Sequence, residues 1–238
     1  MLTIPQFSIA DSFNEFANAM TMNTKAKDHV MKLYYSPGAC SFAPHIVLEE
    51  TGKPYETELV STMDGSTQKE EYLRINPKGR VPLLNHGDLT ITEASAIMLY
   101  LALTNPEANL VDEDPLQLAR TVEWMNWLAT VHAQVIAQSW RAERFTDDVS
   151  AHEGIQKKGK EGLLEVCGQI NSKLGNSSWS VGDKYSIADP YLLVFYRWGN
   201  RLGVKMREYE HWTKHAEKME KRKAVKNVLE AEDISLWE

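Results

Sequence analysis

Residues 31–41 read MKLYYSPGACS, and this stretch decides how the chain begins to fold. Its apolar start predicts a buried strand, which a turn at Pro37 and Gly38 then ends. Residues 41–50 have the apolar spacing of a helix. Cys40 therefore lies between a strand and a helix N-terminus, where the helix dipole and the unpaired N–H groups lower the pKa of a thiol. We expect a reactive thiol there, with inert packing as the alternative.

Composition limits the classes of protein that this chain can represent. Its 238 residues carry a formal net charge of -7, which argues against a nucleic-acid-binding surface and a polybasic membrane anchor. No apolar run reaches the roughly 20 residues that span a bilayer. The two cysteines are far apart and form neither a disulfide framework nor a metal-ligand spacing. His211 and His215 lack a third ligand and are expected to be a solvated pair. We therefore expect a cytoplasmic protein without a metal, nucleic-acid or membrane partner.

The pattern along the chain predicts two domains after an N-terminal extension. Residues 1–30 predict a short amphipathic helix and a polar linker rather than a secretory signal. Residues 31–108 alternate as βαβ, then α, then ββα, which predicts a small α/β layer. Residues 114–238 are helical in pattern, beginning with one long helix over 116–144. Further along this domain, Ser186 and Asp189 have the spacing of a capping box.

Two later segments offer polar groups that suit a small zwitterionic peptide. Residues 81–84 read as a strand, and Pro82 within it indicates an edge or a cis bond that turns the Val81 main chain outward. An outward edge can pair with an extended peptide by strand addition, although an ordinary turn is the alternative. A helix begins near Glu93, Ala94 and Ser95. Its free N–H groups can bind a carboxylate, and the Glu93 side chain can bind an ammonium.

These motifs, taken in order, resemble glutathione S-transferases, most closely the bacterial beta class. The resemblance runs from Met31 to about Leu229 and rests on MKLYYSPGACS, NPKGRVPLL, LTITEASAIMLYL, VEWMNWLA and YSIADPYL. It implies a thioredoxin-like N-terminal domain followed by an all-helical C-terminal domain. It also implies glutathione as co-substrate, a role in detoxification, and a homodimer whose site lies near the subunit interface.

The resemblance also implies roles for individual residues. Cys40 matches the class cysteine, which contacts the glutathione sulfur and can form a mixed disulfide with it. Val81 matches the residue whose backbone pairs with the cysteinyl part of glutathione, and Pro82 matches the cis-proline after it. Glu93 matches the acid that holds the γ-glutamyl ammonium. Asn126 matches an asparagine of the helical domain that reaches glutathione, in some members across the dimer interface.

The chain departs from the class pattern at several positions. The class histidine near the sulfur falls where this chain has Ala133, and His132 lies one residue earlier. One residue is about 100° of rotation on a helix, so His132 would point away unless the helix is locally adjusted. Ala94 stands where Ser or Gly is common, which leaves only its N–H for a carboxylate, and Ser95 can add a hydroxyl. A lysine for the glycyl carboxylate is not plainly placed after Met63.

Three functions remain open at this point. The leading one is a transferase that conjugates glutathione thiolate to electrophilic hydrophobic small molecules, with Trp127 and Trp140 as candidates for the apolar pocket. The second is a glutathione-dependent thiol-disulfide oxidoreductase that uses Cys40 through a mixed disulfide. The third is a non-enzymatic binding or interaction protein on the same fold, which Ala94 and the displaced His132 favour.

Overall fold

A computed structural model describes residues 29–175 and 177–238. The helix expected within residues 1–30 falls outside the described residues, which include only positions 29 and 30 of that segment. The N-terminal domain contains four strands and three helices, which are β1 (Met31–Tyr35), α1 (Phe42–Glu50), β2 (Tyr55–Leu59), α2 (Glu70–Ile75), β3 (Leu83–His86), β4 (Leu89–Thr92) and α3 (Ala94–Thr104). This order agrees with the βαβ, α and ββα pattern predicted from the sequence.

The four strands form one mixed sheet in the order β2-β1-β3-β4. β1 runs parallel to β2 and antiparallel to β3, and β3 and β4 form a hairpin. β3 begins at Leu83, two residues later than predicted. Pro82 has no N–H to donate to a ladder, which is consistent with this later start. The Val81 main chain consequently lies outside the ladder.

The second domain is helical over the described residues. Its helices are α4 (Pro115–Val131), α5 (Ala137–Trp140), α6 (His152–Leu174), α7 (Ala188–Arg201), α8 (Glu210–Glu220) and α9 (Lys223–Glu232). The prediction of one long helix over residues 116–144 is wrong, because a π turn at His132–Ile136 separates α4 from α5 and α5 ends at Trp140. Over residues 29–175 and 177–238, no helix is long and apolar enough to cross a membrane.

Helix α7 forms the centre of the molecule and packs against α1 of the N-terminal domain. The fully buried Asp189 in its first turn accepts hydrogen bonds from the backbone N–H groups of Ser186 (2.7 Å) and Ser180 (2.8 Å). The bond from the Ser186 N–H is the half of the predicted capping box that the acid forms, but the N-cap is Ile187 rather than Ser186 and makes no side-chain cap. His215 Nε2 lies 2.8 Å from the same carboxylate and the residue is buried. The expectation of a solvated histidine pair is therefore wrong for His215.

Candidate active site

Cys40 and His132 meet at the junction of the two domains. Cys40 lies in the loop between β1 and α1, and its Sγ is 3.5 Å from His132 Nδ1 and 3.9 Å from His132 Nε2. His132 is the first residue of the π turn, which adds about one residue to a helical turn and is common at functional sites. The structure thus contains a local adjustment of the helix at this place, and His132 does not point away from the thiol.

Burial favours the neutral form of both groups of this pair. Burial raises the pKa of the Cys40 thiol to about 12, and the lowering by its own backbone N–H and by Arg80 is smaller. Burial also lowers the pKa of His132 to about 4, with further lowering by the charges of Arg80 and Arg144. The expectation that the loop position favours a Cys40 thiolate is therefore wrong here, because desolvation outweighs the helix N-terminus.

The loop that carries Cys40 is fastened to the helical domain through Gly38. The Gly38 N–H donates to Glu232 Oε2 at 2.8 Å, and the Gly38 carbonyl accepts from Trp198 Nε1 at 2.9 Å. Gly38 has a φ of 64°, and an added Cβ would lie 2.2 Å from a guanidinium nitrogen of Arg197. These contacts fix the path of the loop, and the sequence did not identify Glu232, Trp198 or Arg197, which are about 160 to 190 residues away along the chain.

The Val81–Pro82 peptide bond is cis, and the Val81 main chain lies beside the start of β3. Glu93 has a φ of 73°, which is unusual for a residue other than glycine and is typical of functional positions. The exposed Glu93 carboxylate accepts a hydrogen bond from the Lys78 ammonium. The sequence did not predict this contact of Lys78 with the expected ammonium-binding acid.

Ala94 and Ser95 are the first two residues of α3. Glu93 occupies the N-cap position but makes no side-chain cap to the helix. The first-turn N–H groups of a helix lack partners within the helix, so they are suited to bind a carboxylate. Ala94 is buried and Ser95 is partly buried, so the Ser95 hydroxyl lies nearer to solvent than the Ala94 side chain.

Of the two tryptophans expected to line the apolar pocket, Trp140 lies near the Cys40–His132 pair and Trp127 does not. The ring of Trp140 is edge-on to Trp198 with centroids 5.7 Å apart, and Trp198 lies 5.0 Å from the His132 ring. Trp140 is also 37% exposed, so a ligand can reach it. Trp127 instead packs on a neighbouring tryptophan of α4, and it is five residues before His132, or about 140° around the helix. Asn126 is exposed and about 120° away from His132.

Several residues at the site were missed by sequence reasoning. Arg80 and Arg144 act electrostatically on His132, and Arg80 also acts on Cys40. Tyr191 of α7 is buried, and burial, followed by the nearby acidic groups of Cys40 and Glu93, raises the pKa of its hydroxyl. The motif YSIADPYL contains Tyr191, but the spacing of that motif indicates a capping box and gives no sign of a neighbour more than 100 residues earlier.

The fold and the site together define a class of protein. A cysteine loop on a thioredoxin-like sheet, a cis-proline and an acid at a helix N-terminus suit a small thiol peptide, and a helical domain covers the cysteine. Among residues 29–175 and 177–238, no group of three or more His, Cys, Asp or Glu side chains is placed to hold a metal ion.

Comparisons with known proteins identify the family. Family models for the N-terminal and C-terminal domains of glutathione S-transferase match residues 29–103 and 127–230. The glutathione S-transferase GstA of Escherichia coli is 34% identical and covers 86% of this chain and 100% of its own. The chain belongs to the glutathione S-transferase family, as its motifs predicted, and the curated names of its relatives support transferase activity.

Solved structures agree with this assignment. The crystal structure of a glutathione transferase homologue from Sulfitobacter with bound glutathione is 32% identical, covers 85% of this chain and 98% of its own, and has a TM-score of 0.81. A bacterial beta class glutathione S-transferase from Sphingomonas chungbukensis is 29% identical, covers 86% of this chain and 100% of its own, and has a TM-score of 0.71. The thioredoxin-like domain followed by a helical domain is therefore confirmed.

Proposed function

We propose that this protein binds glutathione as a co-substrate and conjugates its thiolate to electrophilic hydrophobic small molecules. The observation that carries the proposal is the distance of 3.5 Å between Cys40 Sγ and His132 Nδ1, at a place where burial raises the pKa of the thiol and lowers the pKa of the imidazole. A neutral thiol can donate a hydrogen bond, and so can the one N–H of a neutral imidazole. Together they can stabilise a second sulfur as thiolate without ionising themselves.

The proposed chemistry begins with loss of the glutathione thiol proton. A free cysteine thiol has a pKa of about 8.5, so little thiolate exists at neutral pH. The proton passes to solvent, the Cys40 S–H and the His132 N–H can donate to the resulting sulfur anion, and the positive charge of Arg80 favours that anion. The sulfur lone pair then forms a bond to the electrophilic carbon as the leaving group departs with its electron pair. Trp140 offers an exposed ring on which an apolar electrophile can pack.

The other two functions have less support from the site. Thiol-disulfide exchange through Cys40 needs a Cys40 thiolate, and the raised pKa of this thiol opposes one. A protein without enzymatic activity does not require a histidine beside the buried thiol. The Glu93 backbone, with its φ of 73°, supports a working glutathione site with Val81, Pro82, Glu93, Ala94 and Ser95 as its residues.

We also propose a cytoplasmic homodimer that has no nucleic-acid, membrane or metal partner. The free thiols of Cys40 and Cys167 suit a reducing compartment, and the net charge of -7 disfavours nucleic acid. Asn126 is exposed and about 120° around α4 from His132, so its proposed role is to reach glutathione across the dimer interface. Sedimentation analysis measures the oligomeric state.

Retention on immobilised glutathione tests whether the site binds. The wild type is expected to be retained and Glu93→Ala is expected to be lost in the flow-through, while Glu230→Ala, an exposed acid of α9, serves as the matched control. A paired assay then compares conjugation of a chloro-nitro aromatic with reduction of a mixed disulfide in the wild type and Cys40→Ala. Absence of wild-type conjugation across many electrophiles would contradict the proposed transferase. Disulfide reduction that exceeds conjugation and disappears in Cys40→Ala would favour the oxidoreductase.

A further inference from the structure

Three arginines lie close to one another near the domain junction, and we call Arg80, Arg141 and Arg144 the arginine rim. Arg80 directly precedes the cis Val81–Pro82 bond. Arg141 and Arg144 follow Trp140, with Arg144 ending the short turn Ala142–Arg144. The rim therefore joins the two domains on the side where Trp140 is exposed.

Contacts and charges place the rim next to the reacting pair. The Arg141 guanidinium lies 3.8 Å from Met63 Sδ, which ties the end of α5 to the loop after β2. The charges of Arg80 and Arg144 both act on His132. Burial, and then the nearby charges of Arg80 and Arg141, lower the pKa of Arg144. The Arg144 guanidinium is thus close enough to be repelled by both Arg80 and Arg141.

The positive charge of the rim is not neutralised within the described chain. Among residues 29–175 and 177–238, none of the three guanidinium groups forms an ion pair. The carboxylate of Glu93 is held by Lys78, and Glu143 is the carboxylate that acts on Arg144. A cluster of like charges without counter-ions, in a chain of net charge -7, is arranged to receive an anion.

We propose that the arginine rim selects an aromatic electrophile that bears a carboxylate, with Arg144 as the residue that determines this specificity. The inference rests on the proposed conjugation and names its substrate class. A guanidinium binds a carboxylate through two parallel hydrogen bonds, and the exposed Trp140 ring packs against an aromatic ring. The aromatic ring of such a substrate would then contact Trp140 and its carboxylate would contact Arg144. Its reactive carbon would lie over the glutathione sulfur.

A matched pair of substrates tests this specificity. A chlorodinitrobenzoate and its methyl ester both react by the same substitution, in which the carbon–sulfur bond forms, chloride leaves with the bonding pair and the thiol proton passes to solvent. The wild type is expected to prefer the carboxylate by roughly tenfold or more in kcat/KM, the effect of a charge-assisted hydrogen bond. Arg144→Gln is expected to lose that preference through a raised KM for the carboxylate, so that the two substrates then react with similar kcat/KM.

The matched control is Arg120→Gln, which removes the same charge from α4 at about 18 Å along the helix from His132. Equal rates on the two substrates in the wild type, or equal effects of Arg144→Gln and Arg120→Gln, would overturn the inference. An Arg144→Gln variant that raises KM for glutathione equally with both substrates would also overturn it, because the rim would then bind the glycyl carboxylate of glutathione.

Binding of the reaction products separates this inference from the proposed function. Calorimetry compares the carboxylate-bearing glutathione conjugate with its methyl ester on the wild type and Arg144→Gln. If the wild type conjugates neither substrate, the proposed function fails. The inference about the arginine rim would still be supported if the wild type binds the carboxylate conjugate more tightly than the ester and Arg144→Gln abolishes that difference. Equal binding of the two conjugates would overturn it.

Discussion

At Cys40, two opposing effects act on one thiol. The nearby helix N-terminus favours the thiolate, and burial of the residue, which is 9% exposed, favours the thiol. Burial is the larger effect, and it raises the pKa to about 12. Sequence spacing showed that Cys40 lies before a helix, but it could not show that Trp198 and Glu232 fasten the same loop under the helical domain.

Alkylation of Cys40 reports this balance directly. In a Cys167→Ala background, the thiolate fraction of Cys40 at pH 8 is expected to be roughly a thousandfold below that of free cysteine, since the pKa values differ by about three units. Iodoacetamide should react slowly at pH 8 and faster only as the pH approaches the raised pKa. Rapid alkylation at neutral pH, as for a thiol activated by a helix, would contradict the account.

His132 predicts a pH dependence of stability. Its pKa is lowered to about 4, so the unfolded chain binds a proton at about 6.5 while the folded protein does not. The contribution of the neutral histidine is fully present above pH 6.5 and is lost as the pH falls from 6.5 toward 4. Urea unfolding at several pH values should show this loss in the wild type and a smaller loss in His132→Gln. The same pH slope in both proteins would contradict a buried neutral histidine.

At the scale of elements, the segment after His132 differs from its predicted structure, and the reason lies in its packing. Residues 116–144 contain neither Gly nor Pro and keep an apolar period, so a single helix was the natural prediction. The chain instead forms a π turn and the short helix α5, which packs closely on α6. An added Cβ on Gly159 would lie 2.7 Å from both Ser139 N and Ser139 Oγ. This close approach is made by residues 20 positions apart, and the sequence pattern of either helix gives no sign of it.

Substitution of two glycines on α6 tests the close approach. Gly159→Ala is expected to lower the free energy of unfolding by about 1–3 kcal/mol, because the added methyl overpacks against α5. It should also lower conjugation, because α5 carries Trp140. Gly168→Ala, where nothing lies within 4 Å of the added Cβ, should raise the free energy of unfolding by about 0.5–1 kcal/mol. Denaturant unfolding measures both; equal effects of the two changes would mean that α5 does not depend on Gly159.

At the scale of the whole molecule, the sequence motifs predicted the two-domain fold and the positions of Cys40, Pro82 and Glu93. Local turns and caps carry that information, since Pro82 and the Ser186–Asp189 box act within a few residues of themselves. The arginine rim and the Gly38 contacts are formed by residues from both domains. They depend on how α7 and α9 pack on α1, which local patterns do not encode.

The most direct test of the central claim is the ionisation of glutathione in the site, followed by the ultraviolet absorbance of its thiolate. The wild type is expected to lower the pKa of bound glutathione below that of free glutathione while Cys40 stays a thiol. Cys40→Ser, which keeps a hydrogen-bond donor, should preserve the shift, and Cys40→Ala should raise the pKa again by about one unit, which is the effect of one hydrogen bond to a charged sulfur. An unshifted pKa in the wild type, or the same shift in Cys40→Ala, would contradict the proposed site.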